Sequence, residues 1–160
     1  MDPRIAQLEL HHNDQPLSVD RLACEQQAAL RDLLTLSHFR PLNDNGGPYA
    51  VKLAVADARL VVAIRNAKEE DLSTLVLSLR PYRKVIDDYF LMIRSFEEAR
   101  HTASPAKLEA IDMGRRGLHN EGAELLVSRF ADKVEIDFET ARRLFTLICA
   151  LHRDQIRTMG

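Results

Sequence analysis

The chain contains 160 residues, of which 46% are hydrophobic and 29% are charged, a composition typical of a globular protein rather than of a disordered or collagen-like one. The formal net charge is -2, which argues against a DNA-coating protein because such proteins need a net basic face. Two cysteines are too few for a disulfide framework, and the sequence has neither a secretion signal nor an apolar run long enough to span a bilayer. We therefore expect one soluble, cytoplasmic domain over residues 1–160, without membrane contact.

The first part of the chain predicts a strand followed by a helix. Apolar and polar residues alternate over residues 5–10, as in a half-buried strand, and a polar turn follows. Ser18 is placed to accept hydrogen bonds from the first amides of a helix, and Leu17 and Leu22 are placed as a hydrophobic staple. The apolar spacing predicts that this helix ends near Ser37.

Residues 43–48 carry the strongest turn signal in the chain, because asparagine and glycine tolerate positive φ angles and Pro48 fixes its own. Three alternating segments follow this loop and predict strands at residues 50–56, 60–65 and 72–79. The connections between these segments are too short for crossover helices, so we expect antiparallel pairing.

Helical patterns occupy the second half of the chain. Pro81 suits the first turn of a second helix, and Ser104 with Pro105 marks the start of a third, central helix. Residues 134–136 favour a small extra strand, and Asp137 is positioned to cap the last helix. The predicted order is β-α-β-β-β-α-α-α. We therefore predict an α+β fold with an antiparallel sheet of three to four strands, covered on one face by helices.

The central helix, predicted around residues 108–130, carries the densest mixture of acidic, basic, imidazole and amide side chains in the sequence. Three of them, Asp112, Arg116 and His119, are spaced by four and three and fall on one side of a helix. A guanidinium and an imidazole beside a carboxylate are suited to anion binding. Paired arginines near the start of the last helix would extend such a site if the helix ends converge. The candidate ligand-binding or partner-binding residues are Asp112, Arg115, Arg116, His119, Asn120, Glu121, Arg142 and Arg143.

Three glycines, Gly114, Gly117 and Gly122, lie inside the same helical pattern. Each costs about 0.8–1 kcal/mol relative to alanine in a helix, a cost that is more easily understood if another backbone or a ligand approaches closely. The alternative interpretation is a salt-bridged helix surface whose glycines permit tight packing. The sequence is compatible with both interpretations, and with a continuous as well as an interrupted helix.

Metal and cofactor chemistry has little support in the sequence. Four residues after His119 stands Ala123 rather than a second histidine, so His119 is not half of a zinc-protease pair. Cys149 and His152 could share one face of the last helix, but the apolar residues around Cys149 favour a buried small hydrophobe. The sequence contains no Walker loop, dinucleotide fingerprint or nucleophile elbow. We expect no metal and no cofactor.

Five segments resemble a known family. They are DPRI at residues 2–5, GGPY at 46–49, LSLRPYRKVIDDYF at 77–90, EAIDMGRRGLHNEGAELL at 109–126 and DFETARRLFTLICALH at 137–152. Together they resemble Uncharacterised Protein Family 0262, small cytoplasmic proteins of alphaproteobacteria. The resemblance implies a bacterial, single-domain protein and supplies no activity, cofactor or catalytic residue.

The first functional hypothesis is a protein-binding or regulatory module. In it, the helix face over residues 112–124, Glu124 included, contacts a protein partner or a second copy of the chain. This hypothesis is motivated by a polar, glycine-rich face that completes no catalytic constellation.

The alternative hypothesis is a small enzyme or sensor for an anionic, phosphorylated ligand. Arg115 and Arg116 would hold the anion, and His119 would act as general acid or base, oriented by Asp112 or Glu121. No nucleophile is evident in the sequence, so we favour binding over catalysis. Nucleic-acid binding is disfavoured because aromatic residues do not alternate with the basic ones.

Overall fold

The structure, a computed structural model, describes residues 1–13 and 15–159, with side chains as far as His152. The strands within these residues are β1 (Ile5–His12), β2 (Gln15–Pro16), β3 (Phe39–Pro41), β4 (Tyr49–Ala56), β5 (Arg59–Arg65), β6 (Asp71–Ser78) and β7 (Val134–Ile136). The helices are α1 (Cys24–Leu36), α2 (Arg83–Ala99), α3 (Pro105–Phe130) and α4 (Phe138–Met159). The α+β class predicted from the sequence is confirmed.

Five strands form a mixed sheet in the order β2-β1-β4-β5-β6. Strands β4, β5 and β6 pair in antiparallel fashion, as predicted from their short connections. Strand β1 instead pairs parallel to β4, since α1 lies between them in the chain and supplies the length that a parallel crossover needs. The sheet therefore has more strands than the three to four predicted, and it is mixed rather than antiparallel throughout.

A second, two-stranded sheet joins distant parts of the chain. Strand β7 was predicted, and it pairs with β3, which was not. Arg40 of β3 lies 95 residues before its partner Glu135. A strand of three residues with so distant a partner has no local periodicity that would reveal it.

The predicted start of the first helix was too early. Ser18 caps only a short 3-10 turn, where its hydroxyl accepts a hydrogen bond from the backbone N–H of Asp20 at 3.3 Å. The backbone is then extended at Ala23, and α1 begins at Cys24. There the buried side chain of Gln26 accepts a hydrogen bond from the Ala23 N–H at 2.9 Å. A side chain one turn inside the helix therefore replaces the predicted serine cap.

The other two helix caps are confirmed. The Ser104 hydroxyl accepts a hydrogen bond from the Lys107 N–H at 3.2 Å at the start of α3. The Asp137 carboxylate accepts one from the Thr140 N–H at 2.8 Å at the start of α4. The predicted second helix begins as a 3-10 turn that contains Pro81 and continues as α2.

Helices cover one face of the five-stranded sheet, as predicted. On β4, Val51, Leu53 and Val55 are buried whereas Lys52 is exposed, and α1 and α4 pack on this side of the sheet. Cys149 of α4 is fully buried in the same core. In the described part of the chain, no helix combines the length and the apolar composition needed to cross a membrane.

The three glycines lie in one continuous helix, α3, and they differ in their surroundings. A Cβ atom at Gly122 would lie 2.4 Å from the ring of Phe145, which is fully buried in α4. A Cβ atom at Gly114 would lie 3.0 Å from the flexible end of Met92. A Cβ atom at Gly117 would meet nothing within 4 Å. Only Gly122 is therefore required for the packing of α3 on α4.

This difference predicts opposite effects for two alanine substitutions in one helix. Gly117→Ala should raise the free energy of unfolding by about 0.8–1 kcal/mol, because alanine favours the helix and nothing is displaced. Gly122→Ala should lower it by about 1–3 kcal/mol, because the Phe145 ring must move within a packed core. Urea unfolding with unchanged slopes would measure both values. An equal change in the free energy of unfolding for the two substitutions would contradict the close packing of Phe145 against Gly122.

Candidate functional site

A cavity of about 240 Å³ lies between α1, α3 and α4. Its wall contains four arginines, three carboxylates and one histidine. The polar residues that line it are Glu25 and Asp32 from α1, Arg115, Arg116 and His119 from α3, and Glu139, Arg142, Arg143 and Thr146 from α4. The cavity is smaller than the roughly 300–1,000 Å³ typical of sites for drug-sized ligands.

The sequence of α1 explains why space remains between the helices. Glu25 and Asp32 are seven residues apart and therefore lie on one side of this helix, two turns from each other. Between them on the wall lie Ala28 and Ala29, whose short side chains do not fill the gap. The helix thus presents two carboxylates with unfilled space between them.

Glu25 is held by donors from two other helices. One oxygen accepts a hydrogen bond from Arg115 Nη1 at 2.8 Å, and the other accepts one from the hydroxyl of the fully buried Tyr89 at 3.0 Å. His119 Nε2 lies 3.6 Å from the first oxygen. With both of its oxygens engaged, Glu25 joins α1 to α2 and α3.

Asp112 lies on the far side of Arg115 and binds both neighbouring arginines. It accepts a hydrogen bond from Arg115 Nη2 at 2.8 Å, and its other oxygen lies 3.1 Å from Arg116 Nε. The hydrogen bond from Arg115 holds the pKa of the Asp112 carboxyl below its ordinary value. Arg115 is thus fixed between two carboxylates, whereas the side chain of Arg116 is 66% exposed.

His119 is buried and faces the cavity from α3. Its Nε2 lies 3.2 Å from the Thr146 hydroxyl, which itself donates to the backbone carbonyl of Arg142 at 3.1 Å. Because a hydroxyl has one hydrogen to donate, Nε2 is the donor and carries the proton of the neutral ring. The rings of Tyr89 and Phe145 pack against the imidazole, with centroids at 4.7 Å and 6.1 Å.

Burial lowers the pKa of His119, and the positive charges of Arg115 and Arg142 act in the same direction. The negative charges of Glu25 and Asp112 oppose this shift without reversing it. The imidazole is therefore neutral at physiological pH, and its Nε2 proton is directed to Thr146 and Glu25.

Arg142 and Arg143 approach the cavity from α4 with weaker pairing. Arg142 Nη1 lies 3.3 Å from Glu139, and its buried Nε has no hydrogen-bond partner among the described residues. Arg143 Nε lies 3.8 Å from Asp32, beyond ordinary hydrogen-bond distance. These two guanidinium groups retain donors for a ligand.

The structure brings five of the eight candidate residues to this cavity: Arg115, Arg116, His119, Arg142 and Arg143. Asp112 does not line this cavity but forms ion pairs with Arg115 and Arg116. Asn120 and Glu121 are exposed and do not line the cavity. The sequence predicted that Asp112 or Glu121 would orient His119. In the structure, Thr146 and Glu25 instead lie closest to its Nε2.

Four polar residues of the cavity wall were not predicted from the sequence: Glu25, Asp32, Glu139 and Thr146. The first two could have been found as an acidic pair seven residues apart with alanines between them. Thr146 is a polar residue inside the otherwise apolar stripe of α4. Its partner His119 is 27 residues away in the chain, so the contact between the two side chains cannot be predicted from local sequence.

Metal-binding geometry is not found at this site. Nowhere in the described part of the chain do three histidine, cysteine, aspartate or glutamate side chains group as metal ligands. Burial raises the pKa of the Cys149 thiol well above its ordinary value, which keeps the sulfur protonated and a poor ligand. The chemistry that this cavity offers is therefore hydrogen bonding and ion pairing.

Fold and site together define an α+β protein whose mixed sheet is covered on one face by helices, three of which line a small, charged cavity that is open to solvent. The model of the uncharacterised protein family UPF0262 matches residues 2–154. The chain belongs to this family, and the resemblance found in the sequence is confirmed.

Curated relatives extend over most of the chain. A UPF0262 protein of Azorhizobium caulinodans is 56% identical over 130 residues, which cover 80% of each chain. A relative from Brucella anthropi is 50% identical over 129 residues, or 80% of this chain and 81% of the relative. A relative from Rhizobium etli is 48% identical over 128 residues, or 80% and 82% of the two chains. No solved structure matches the chain.

The lowered pKa of His119 predicts a pH dependence of stability. Below the ordinary histidine pKa of about 6.5, the unfolded chain binds a proton at this position before the folded protein does. The free energy of unfolding must therefore fall as the pH drops from about 6.5 to the lower folded pKa. His119→Gln should reduce this loss, by about 1.4 kcal/mol for each unit by which the pKa of His119 is lowered.

Urea unfolding of parent and variant at about pH 7.5 and about pH 5 would measure the difference. Burial also lowers the pKa of His152, so His119→Gln should leave part of the loss in place. An identical loss of stability in parent and variant would show that folding does not lower the pKa of His119.

Proposed function

We propose that the protein binds a small anionic ligand in the cavity between α1, α3 and α4. The observation that carries this proposal is the guanidinium of Arg142, which lines the cavity and has one ionic partner among the described residues, Glu139 at 3.3 Å. The side chain is 31% exposed, and a guanidinium carries five N–H donors. A phosphate or carboxylate oxygen in the cavity would accept hydrogen bonds from its Nη groups.

The neighbouring arginines support the same ligand. Arg143 is held by Asp32 only at 3.8 Å, and Arg116 is largely exposed. Ion pairs of partly exposed side chains contribute only about 0–1 kcal/mol, so a ligand can displace the partners of Arg142 and Arg143 at low cost. Guanidinium groups bind phosphate and carboxylate oxygens in bidentate geometry.

The contacts of Arg115 and His119 support a positioning role for these two residues. Arg115 already binds two carboxylates, and His119 directs its Nε2 proton to Thr146 and Glu25. Neither residue has a free donor comparable to that of Arg142. The proposed activity is therefore ligand binding or sensing rather than general acid–base catalysis.

Thermal unfolding with inorganic phosphate and with ethyl phosphate would test this proposal. At a concentration of about 100 times Kd, a ligand should stabilise the folded protein by about 2.7 kcal/mol, which for a chain of this size raises Tm by roughly 5–11 °C. Arg142→Gln should reduce the shift by at least half. Sodium chloride at equal ionic strength corrects for screening.

Arg94→Gln is the matched control, because Arg94 is exposed on α2 and does not line the cavity. This variant should keep the full ligand-induced shift. The proposal fails if neither phosphate compound stabilises the parent protein beyond the sodium chloride control. It also fails if Arg94→Gln and Arg142→Gln weaken the shift equally.

Self-association through the outer face of α3 is a second candidate function. The observation that favours it is Gly117, because glycine weakens a helix and no other described element comes within 4 Å of the position of its Cβ. An approach by a second copy would account for this glycine. Gly117 belongs to a stripe of exposed residues spaced by four and three, as in a coiled-coil seam. The stripe contains Ala106, Ala110, Met113, Gly117, Asn120 and Glu124.

Charge favours an antiparallel arrangement of two such helices. Lys107 and Arg116 lie in the first half of α3, whereas Glu121 and Glu124 lie in the second half. A two-fold axis at Gly117 would bring Lys107 and Arg116, which lie beside the stripe of one helix, towards Glu121 and Glu124 of the other helix. Met113, which is 64% exposed, would be covered in this dimer.

Gly117→Arg should disrupt such a dimer, because a long charged side chain would occupy the point of closest approach. Sedimentation velocity over a range of protein concentrations would detect the change from dimer to monomer. Ala67→Arg adds the same charge in the exposed loop before β6 and should leave the dimer intact. A parent protein that sediments as a monomer at every concentration would exclude this function.

A further inference from the structure

Two carboxylates on the cavity wall have unused capacity to accept hydrogen bonds. Asp32 has one cationic partner, Arg143, at 3.8 Å. Glu139 has one, Arg142, which reaches a single oxygen at 3.3 Å. Their side chains are 48% and 57% exposed. A carboxylate has about four acceptor sites, so both groups can bind a further donor.

Glu25 differs from these two carboxylates. Arg115 binds one of its oxygens and Tyr89 the other, both at hydrogen-bond distance. Its negative charge is therefore already compensated within the fold. A cationic group of a ligand would find available acceptors at Asp32 and Glu139 rather than at Glu25.

A purely anionic ligand would create a charge problem at this wall. If its oxygens take the guanidinium groups of Arg142 and Arg143, then Glu139 and Asp32 lose their cationic partners. Two carboxylates would then lie beside the bound anion, and like charges at short distance repel. Part of the affinity gained from the arginines would be lost.

We infer that the cavity takes a zwitterionic ligand, with a phosphate or carboxylate group for Arg142 and Arg143 and an ammonium group for Asp32 and Glu139. This inference rests on the proposed anion-binding function and names the chemical class of its ligand. The ammonium group supplies one positive charge and three N–H donors to the two carboxylates that give up their guanidinium partners. It thus offsets part of the repulsion that a purely anionic ligand would meet.

Two matched pairs of compounds test the inference by isothermal titration calorimetry. Phosphoethanolamine and ethyl phosphate differ in the ammonium group, as do β-alanine and propionate. In the parent protein the zwitterion of at least one pair should bind about fivefold more tightly than its anion. The pair that shows the preference identifies phosphate or carboxylate as the anionic group.

Asp32→Asn removes one negative charge and keeps the size of the side chain. It should bring the affinity ratio of zwitterion to anion close to one, while the affinity for the anion stays equal or rises. Glu139→Gln should act in the same direction, which guards against a folding defect in either variant. Asp132→Asn, in the exposed turn after α3, is the matched control and should keep the preference.

The outcomes separate this inference from the proposed function. Equal binding of zwitterion and anion, or tighter binding of the anion, overturns the inference and leaves anion binding in place. An unchanged preference in both Asp32→Asn and Glu139→Gln also overturns it. Failure of all four compounds to bind overturns the inference and the proposed function together.

Discussion

The close approach of α3 to α4 at Gly122 is the constraint on which the cavity depends. With no side chain at this position, the ring of Phe145 lies where a Cβ atom would be. One turn earlier on α3, His119 comes within 3.2 Å of Thr146, the residue that follows Phe145. The same two helices bring Arg115 and Arg142 close enough to His119 for both charges to lower its pKa. A wider spacing of the helices would separate these groups.

Charge compensation divides the residues of the cavity into two groups. Glu25 and Arg115 have their partners within the fold and are held in one geometry. Arg142 and Arg143 have partial or distant partners. Rigid groups position the wall, and the less constrained ones are able to change partners. Sites that bind small ligands commonly combine a preorganised wall with a few such polar groups.

Local signals predicted most elements, because caps, turns and strand alternation are properties of neighbouring residues. The caps at Ser104 and Asp137 and the hairpins of β4, β5 and β6 are of this kind. Strand β3 and the parallel pairing of β1 were missed, since each depends on a partner far along the chain. At the site, the arginines and His119 stood out by their chemistry. Glu25 did not stand out in the sequence, because its hydrogen bonds are made with Tyr89 and Arg115, which lie 64 and 90 residues later.

The parallel pairing of β1 with β4 has a consequence for the order in which the chain folds. The hairpins of β4, β5 and β6 close short loops. The connection between β1 and its partner β4, in contrast, contains the whole of α1. Loop closure costs entropy that grows with length, and distant contacts slow folding. The cavity also requires residues of α4, among them Arg142 and Thr146. During synthesis the cavity therefore forms only after residue 146 has been added.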